Sequence, residues 1–319
     1  MLLLHGNNRY HAKEHEYQGT DTVAENTYRA ELGLKVYGKS TQNGVPSPEN
    51  PIPINSIGDS GSVDVVVTGK NLIPTNLAQD GISYNADTKC WKFEALSKYG
   101  IVNVRIIDPN KGSYILPTGQ YTITTIDSQN MVYAAVSDIG NDWKTLATVK
   151  KTKPSVTFTL TKDTEIGIYV VPEDITQPGY VQIQLERGAT ATSYQPYREP
   201  QTLTINTPNG LCGIPVDTGS NYTDSTGQQW VCDEVDFERN VFVQRIGKIA
   251  SYNNEQLSTK YMSTTGKLTT GASVIYILIT PIETPLTAAE LAAYKAIKSY
   301  PHYTRIESTA EMTVKLKEY

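Results

Sequence analysis

His11-Ala12-Lys13-Glu14-His15 is the segment of this chain whose residue types and spacing come closest to a known chemistry. On an α-helix, imidazoles at i and i+4 stand one turn apart and share a zinc ion, and the glutamate beside the second acts as general base. The surroundings oppose that reading. A zinc-hydrolase helix lies deep in a large domain with a further acidic ligand downstream, whereas these residues sit in a short polar stretch near the terminus. The expectation is a solvated arm, a non-enzymatic chain and no catalytic residues.

The other routes to catalysis are weaker. His302 is the one histidine beyond residue 15. It lies between Pro301 and Tyr303, so no Ser-His-Asp or Cys-His arrangement is assembled. There is no G-x-S-x-G, P-loop or G-x-G-x-x-G. Asp233-Glu234 and Asp236–Glu238 are paired carboxylates, but neighbours on a strand face opposite sides. They read as a solvated strand or turn. A glycoside hydrolase would need a groove holding two carboxyl groups about 5–10 Å apart. Asp217-Thr218-Gly219 and Asp224-Ser225-Thr226-Gly227 could hold a structural calcium, yet turn chemistry accounts for them, and no cofactor is expected. Cys90, Cys212 and Cys232 are too few and too widely spaced for a disulfide framework or a zinc knuckle. They read as three reduced, partly buried thiols, with a single Cys212–Cys232 bridge as the alternative.

The aromatic residues say more. The chain has 21 Tyr and 3 Trp against 4 Phe. Tyr and Trp combine an apolar face with a polar tip, which suits sugar stacking and protein interfaces. Trp91, Tyr99, Tyr133 and Trp143 fall in one central region and are the candidate stacking platform. The alternative is that they fill a core or an oligomer interface.

The elements that must position these residues are strands. Of 319 residues, 38 are Thr, and charged residues make up only 19%. The bias toward Thr, Tyr, Val and Ile favours a pleated, half-buried surface. The charge balance of 28 Lys+Arg against 33 Asp+Glu gives −5 with no basic block, which excludes a nucleic-acid footprint. With a mean hydropathy of −0.37 and no apolar run of about 20 residues, no membrane insertion is expected. The apolar start Met1–Leu4 is too short for a signal peptide.

Residues 1–33 read as an arm, with helix near Thr20–Leu34. Strands are expected at Leu34–Gly38 and Val63–Thr68. Gly44–Pro53 carries four prolines, which forbid helix and central strand alike. Residues 71–197 read as short strands at Val102–Ile107, Tyr121–Ile126, Met131–Ser137, Ser155–Leu160, Glu165–Val171 and Tyr180–Glu186. In the last, Val181, Ile183 and Leu185 alternate with Gln182 and Gln184, the pattern of an antiparallel sheet with one wet side. Beyond residue 198, Thr202–Ile205, Asn240–Ile246, Ser273–Ile279, Thr304–Glu307 and Met312–Leu316 continue in β. Thr287-Ala288-Ala289-Glu290 is a capping box that opens one helix over about 287–299. The fold class is all-β and mainly antiparallel: a jelly-roll β-sandwich at 71–197, and a flanking β domain formed by 34–70 and 198–319 with one short C-terminal helix. The sandwich would then be an insertion.

Three blocks carry a family resemblance. Gly38–Ile54, with its prolyl run, resembles a segment of minor structural and tail-tip proteins of phages and prophages of Gram-positive bacteria. Gly69-Lys70-Asn71-Leu72 and Gln184-Leu185-Glu186-Arg187-Gly188-Ala189-Thr190-Ala191-Thr192-Ser193-Tyr194-Gln195-Pro196-Tyr197 resemble the opening and closing signatures of their jelly-roll modules, which are similar to carbohydrate-binding β-sandwiches. Tyr222–Glu234 and Glu283–Tyr294 extend the similarity. The resemblance implies a non-enzymatic receptor-binding component of a tail fibre or baseplate, located in the virion and made in the host cytoplasm. Its partners would be other tail proteins, through residues 1–33, and host surface polysaccharide. A homotrimer is the implied assembly. The alternative within the same family is an adaptor that binds only neighbouring virion subunits.

Overall fold

The computed structural model describes residues 14–22, 33–45, 52–100, 102–249, 274–298 and 305–317. The chain is all-β and mainly antiparallel, with one α-helix among the described residues. It divides into two compact units, residues 1–67 with 201–319, and residues 68–200.

The first unit opens with β1 (Glu14–Thr22), β2 (Gly33–Tyr37), β3 (Ser40–Thr41), β4 (Asn55–Ser56) and β5 (Gly61–Thr68). The second unit holds β6 (Ile82–Asn85), β7 (Cys90–Phe93), β8 (Val104–Ile107), β9 (Ile115–Leu116), β10 (Gly119–Gln129), β11 (Tyr133–Asp138), β12 (Lys144–Val149), β13 (Ser155–Leu160), β14 (Thr164–Val171) and β15 (Gly179–Arg187). The chain then completes the first unit with β16 (Gln201–Thr207), β17 (Gly213–Val216), β18 (Tyr222–Thr223), β19 (Gln229–Cys232), β20 (Glu234–Asp236), β21 (Val241–Ile249), β22 (Val274–Pro285), α1 (Ala288–Lys298) and β23 (Arg305–Lys317).

The first unit is built on a sheet in the order β16-β5-β23-β2-β20-β21-β22, with β1 also paired to β23. Val63, Val65 and Val67 alternate inward along β5 and meet Leu203 and Ile205 of β16 in one core. β5 and β16 pair antiparallel with Val67 opposite Gln201. The strands that leave and re-enter this unit are thus adjacent, the geometry that tolerates an inserted domain. α1 covers the core with Tyr294 and Ile297, and the Tyr294 ring stacks on Phe237 at 4.8 Å. Its capping box is formed: Thr287 N–H donates to Glu290 Oε2 at 2.8 Å, and Glu290 N–H donates to Thr287 Oγ1 at 3.2 Å.

The second unit is a β-sandwich. One sheet runs β13-β10-β15-β7-β6, and the other β12-β11-β14-β8 with β9 paired to β14. Trp91, Tyr121, Ile123, Val181, Ile183 and Leu185 from the first meet Val104, Ile106, Ala134, Val136, Ile166, Ile168 and Val170 from the second in a single core. The opening and closing blocks touch. Leu72 N–H donates to Leu185 O at 2.7 Å, and Asn71 Oδ1 accepts from Ile73 N–H at 3.2 Å and Leu185 N–H at 3.4 Å.

Several expectations are corrected. Residues 14–22 are a strand, so the helix expected from Thr20 does not begin there; residues 23–32 lie outside the described residues. Gly19 pairs with Met312 and Asp21 with Glu307, so Ser308–Glu311 bulge opposite Thr20. That bulge makes one strand of β23 look like two in the sequence. Gln184 is not on a wet face. It is fully buried, because residues 189–197 return across that side of the sheet: Gln195 N–H donates to Gln184 Oε1 at 2.7 Å, and Thr192 N–H to Glu186 Oε1 at 3.0 Å. Pro46, Pro48 and Pro51 of the prolyl block, and His302, lie outside the described residues.

Candidate functional site

The site is the outward face of the sheet β12-β11-β14-β8. Along β14, Ile166, Ile168 and Val170 enter the core, which turns Gly167 and Tyr169 to the other side. Along β11, Ala134 and Val136 enter the core and turn Tyr133, Ala135 and Ser137 outward. Register sets the rows: Tyr169 is opposite Ala135 on one side and Arg105 of β8 on the other, and Ser137 is opposite Gly167. Ala135, Ser137 and Gly167 are small, so they leave a low floor between the larger side chains.

Trp143 lies on that floor. A Cβ built on Gly167 would stand 2.7 Å from Trp143 Cζ3, so the indole occupies the space that any larger residue would fill. The turn that delivers it is unusual. Asp142 and Trp143 take φ of +50° and +57°, a left-handed conformation rare for a bulky residue. Such backbone costs on the order of 1–3 kcal/mol per residue and persists where surrounding structure compels it. Here it folds the β11–β12 connection back over its own sheet.

The neighbours complete an aromatic and cationic surface. The Trp143 and Tyr169 rings meet edge to face, 6.4 Å apart at 66°, and Tyr133 and Tyr169 meet at 6.2 Å and 72°. The Arg105 guanidinium carbon lies 5.2 Å from the Trp143 ring centroid, within cation–π range. Arg105 Nη1 is held 3.3 Å from Asp108 Oδ1, which also accepts from the backbone and side-chain nitrogens of Asn110. Burial, and then the adjacent Tyr169, push the Tyr133 hydroxyl above its ordinary pKa. It stays a neutral donor and acceptor.

Of the four platform candidates, the structure brings together Tyr133 and Trp143, bridged by Tyr169. Trp91 is corrected: at 2% exposure it is a core residue, edge-on to Tyr84 at 5.4 Å, with no face free for a ligand. Tyr99 is exposed but belongs elsewhere. It ends the short turn Leu96–Tyr99, beside Gly81. Tyr169 and Arg105 were missed, although both stand at outward positions of alternating strands (Ile168-Tyr169-Val170 and Val104-Arg105-Ile106).

The remaining chemistry-bearing groups are structural. Glu14 and His15 are consecutive residues of a strand, so the helical spacing a shared zinc requires is not formed; His11 lies outside the described residues. Asp233, Glu234 and Asp236 are not solvated but buried. Asp233 accepts from Arg245 N–H at 2.7 Å, Ile246 N–H at 2.9 Å and Cys212 N–H at 3.1 Å; burial pushes its pKa up against these bonds. Glu234 pairs with Arg245 at 3.0 Å, and Asp236 with Lys35 at 2.8 Å. Asp224 and Glu311 grip the same ammonium, Lys39 Nζ, at 2.9 and 2.8 Å, over the Trp230 ring. Asp224 Oδ1 also takes Thr226 and Gln228 N–H at 3.0 and 3.1 Å, so the turn satisfies its own carboxylate. Cys90, Cys212 and Cys232 are buried and free.

A half-buried Trp–Tyr–Arg face on a sandwich sheet can stack on the apolar face of a ring and donate to polar groups at its edge. No family model matches this chain, and no curated protein or solved structure matches it either.

Proposed function

We propose that this chain is a non-enzymatic phage tail-tip protein whose β-sandwich attaches the virion to carbohydrate on a Gram-positive host surface. The observation that carries the proposal is the left-handed turn that lays Trp143 across Gly167, between Arg105 and Tyr169. Strained backbone that holds a half-buried aromatic ring on the outer face of a sheet suits a binding site better than a packing site. The resemblance of the opening and closing blocks to tail-tip modules supplies the biological setting. A pyranose would stack on Trp143, with Arg105, Tyr133 and Tyr169 reaching its hydroxyls. Each contact is weak, and a symmetric oligomer, a trimer in this reading, raises the combined affinity through avidity. Binding of the intact protein to host cell-wall polysaccharide, reduced by Trp143→Ala, is the test. Equal retention of the variant and the parent overturns the assignment of this face.

A second reading has its own support. β22 ends the main sheet among the described residues, and its Ile277, Ile279 and Ile282 are exposed, Ile279 completely. An apolar edge strand is a template for pairing with another chain. On this reading the protein is an adaptor between virion subunits, and a polysaccharide pulldown recovers nothing.

A further inference from the structure

The other sheet of the sandwich carries a separate feature on its outward side. Ser83, Lys92, Tyr180 and Gln129 stand directly opposite one another across four adjacent strands, β6, β7, β15 and β10. Their neighbours Trp91 and Val181 point into the core, so this row faces out. Just past the end of β7, Glu94 joins them, with Gly81 and Pro178. These residues line an open cleft of about 400 Å³. Gly81 has a φ of +85°, a left-handed backbone that favours glycine, and the ring of Tyr99 lies 3.7 Å from where a Cβ would be. The exposed Tyr99, left unassigned by the aromatic face, stands beside Gly81 but does not itself line the cleft.

We propose that this cleft binds one neutral sugar ring, independently of the Trp143 face. Its volume falls within the usual range of small-molecule sites. Among the described residues, no hydrogen bond or ion pair engages the side chains of Ser83, Lys92 or Gln129. Tyr180 is held in place, its hydroxyl donating to Asp127 Oδ2 at 3.2 Å. Charge selects the ligand class. Lys92 only donates and Glu94 only accepts, and both line the cleft, Glu94 lying just past the end of β7. A phosphate or carboxylate that reached Lys92 would also meet Glu94, and an amine that reached Glu94 would meet Lys92. A hydroxyl both donates and accepts, so adjacent hydroxyls of a neutral ring satisfy both groups at once. Glu94 is paired with Lys98 at 3.4 Å, but both side chains are 64% exposed and such a pair is weak. Tyr180, which lines the cleft, offers an apolar face on which a pyranose stacks.

Saturation-transfer NMR on the full chain tests this, with methyl glucoside, methyl galactoside and N-acetylglucosamine as neutral probes and glucose 6-phosphate and glucosamine as charged ones. The expected result is a signal from at least one neutral probe that survives in Trp143→Ala and weakens about ten-fold in Lys92→Ala and in Gln129→Ala. Both substitutions are on exposed side chains, and an unchanged melting temperature confirms the fold. No signal from any neutral probe overturns the proposal. So does a signal that Lys92→Ala and Gln129→Ala leave intact, or stronger binding of the phosphorylated sugar that Lys92→Ala abolishes. Loss in Trp143→Ala alone overturns the cleft while leaving the aromatic face standing.

Discussion

Arg105 and Trp143 are 38 residues apart in sequence, yet the guanidinium of one lies 5.2 Å from the ring centre of the other on the outer face of the sandwich. The contact depends on a register, Tyr169 opposite Arg105, and on a turn, Asp142–Trp143, that doubles back over the sheet. Removing the cation while keeping the ring separates their roles. Arg105→Ala is expected to weaken polysaccharide binding by several-fold and to quench or shift Trp143 fluorescence, because a cation–π contact of roughly 0.5–1 kcal/mol is lost at a partly exposed site. Unchanged binding and unchanged emission would contradict the coupling.

Gly167 offers a test that leaves every contact residue in place. A Cβ there would stand 2.7 Å from Trp143 Cζ3, so Gly167→Val must displace the indole. The expected outcome is loss of sugar binding comparable to Trp143→Ala. A crystal structure of the variant should show Trp143 swung off the sheet.

How far the sequence could be read depends on where each signal resides. β13 at Ser155–Leu160 matches its expected bounds, because its alternation is local and its partner β10 demands nothing further. α1 was legible because a capping box is a contact between residues three apart. Asn71 and Leu185 meet, which gives the opening and closing blocks a physical role, but that pairing spans 114 residues and no local pattern announces it. Gln184 reads as wet until the return of residues 189–197 over it is known. β1 is polar and lies at a sheet margin, where no apolar stripe marks a strand. At the site, Tyr133 and Trp143 were visible by residue type, while Tyr169 and Arg105 needed the register to be joined to them.

The helix cap carries a stability prediction. Thr287→Ala removes one half of the capping box and should cost about 1 kcal/mol in chemical denaturation. Glu290→Ala should cost more, since Glu290 Oε1 also accepts from Asn206 N–H of β16 at 3.0 Å. That bond ties α1 to the sheet, and its loss leaves a part-buried donor without its carboxylate partner. Equal losses for the two variants would show that the second bond contributes nothing.

Asp224 carries a pH prediction. Hydrogen bonds from Thr226, then the Lys39 ammonium and the Trp230 N–H, hold its carboxyl well below the ordinary value of 3.8. A depressed folded pKa contributes stability that is fully present above the unfolded value and is lost as pH falls through the folded one. Asp224→Asn should therefore destabilise the chain at pH 7, and the difference from the parent should shrink steadily below about pH 4. A difference that is the same at pH 7 and pH 2 would contradict the ion pair.

The Trp143 face is tested most directly by sedimenting the intact protein with purified host cell-wall polysaccharide and comparing the parent with Trp143→Ala. Binding by the parent that falls about ten-fold or more in the variant, with the melting temperature preserved, is the predicted result. Binding that is absent in the parent, or that survives Trp143→Ala unchanged, contradicts it.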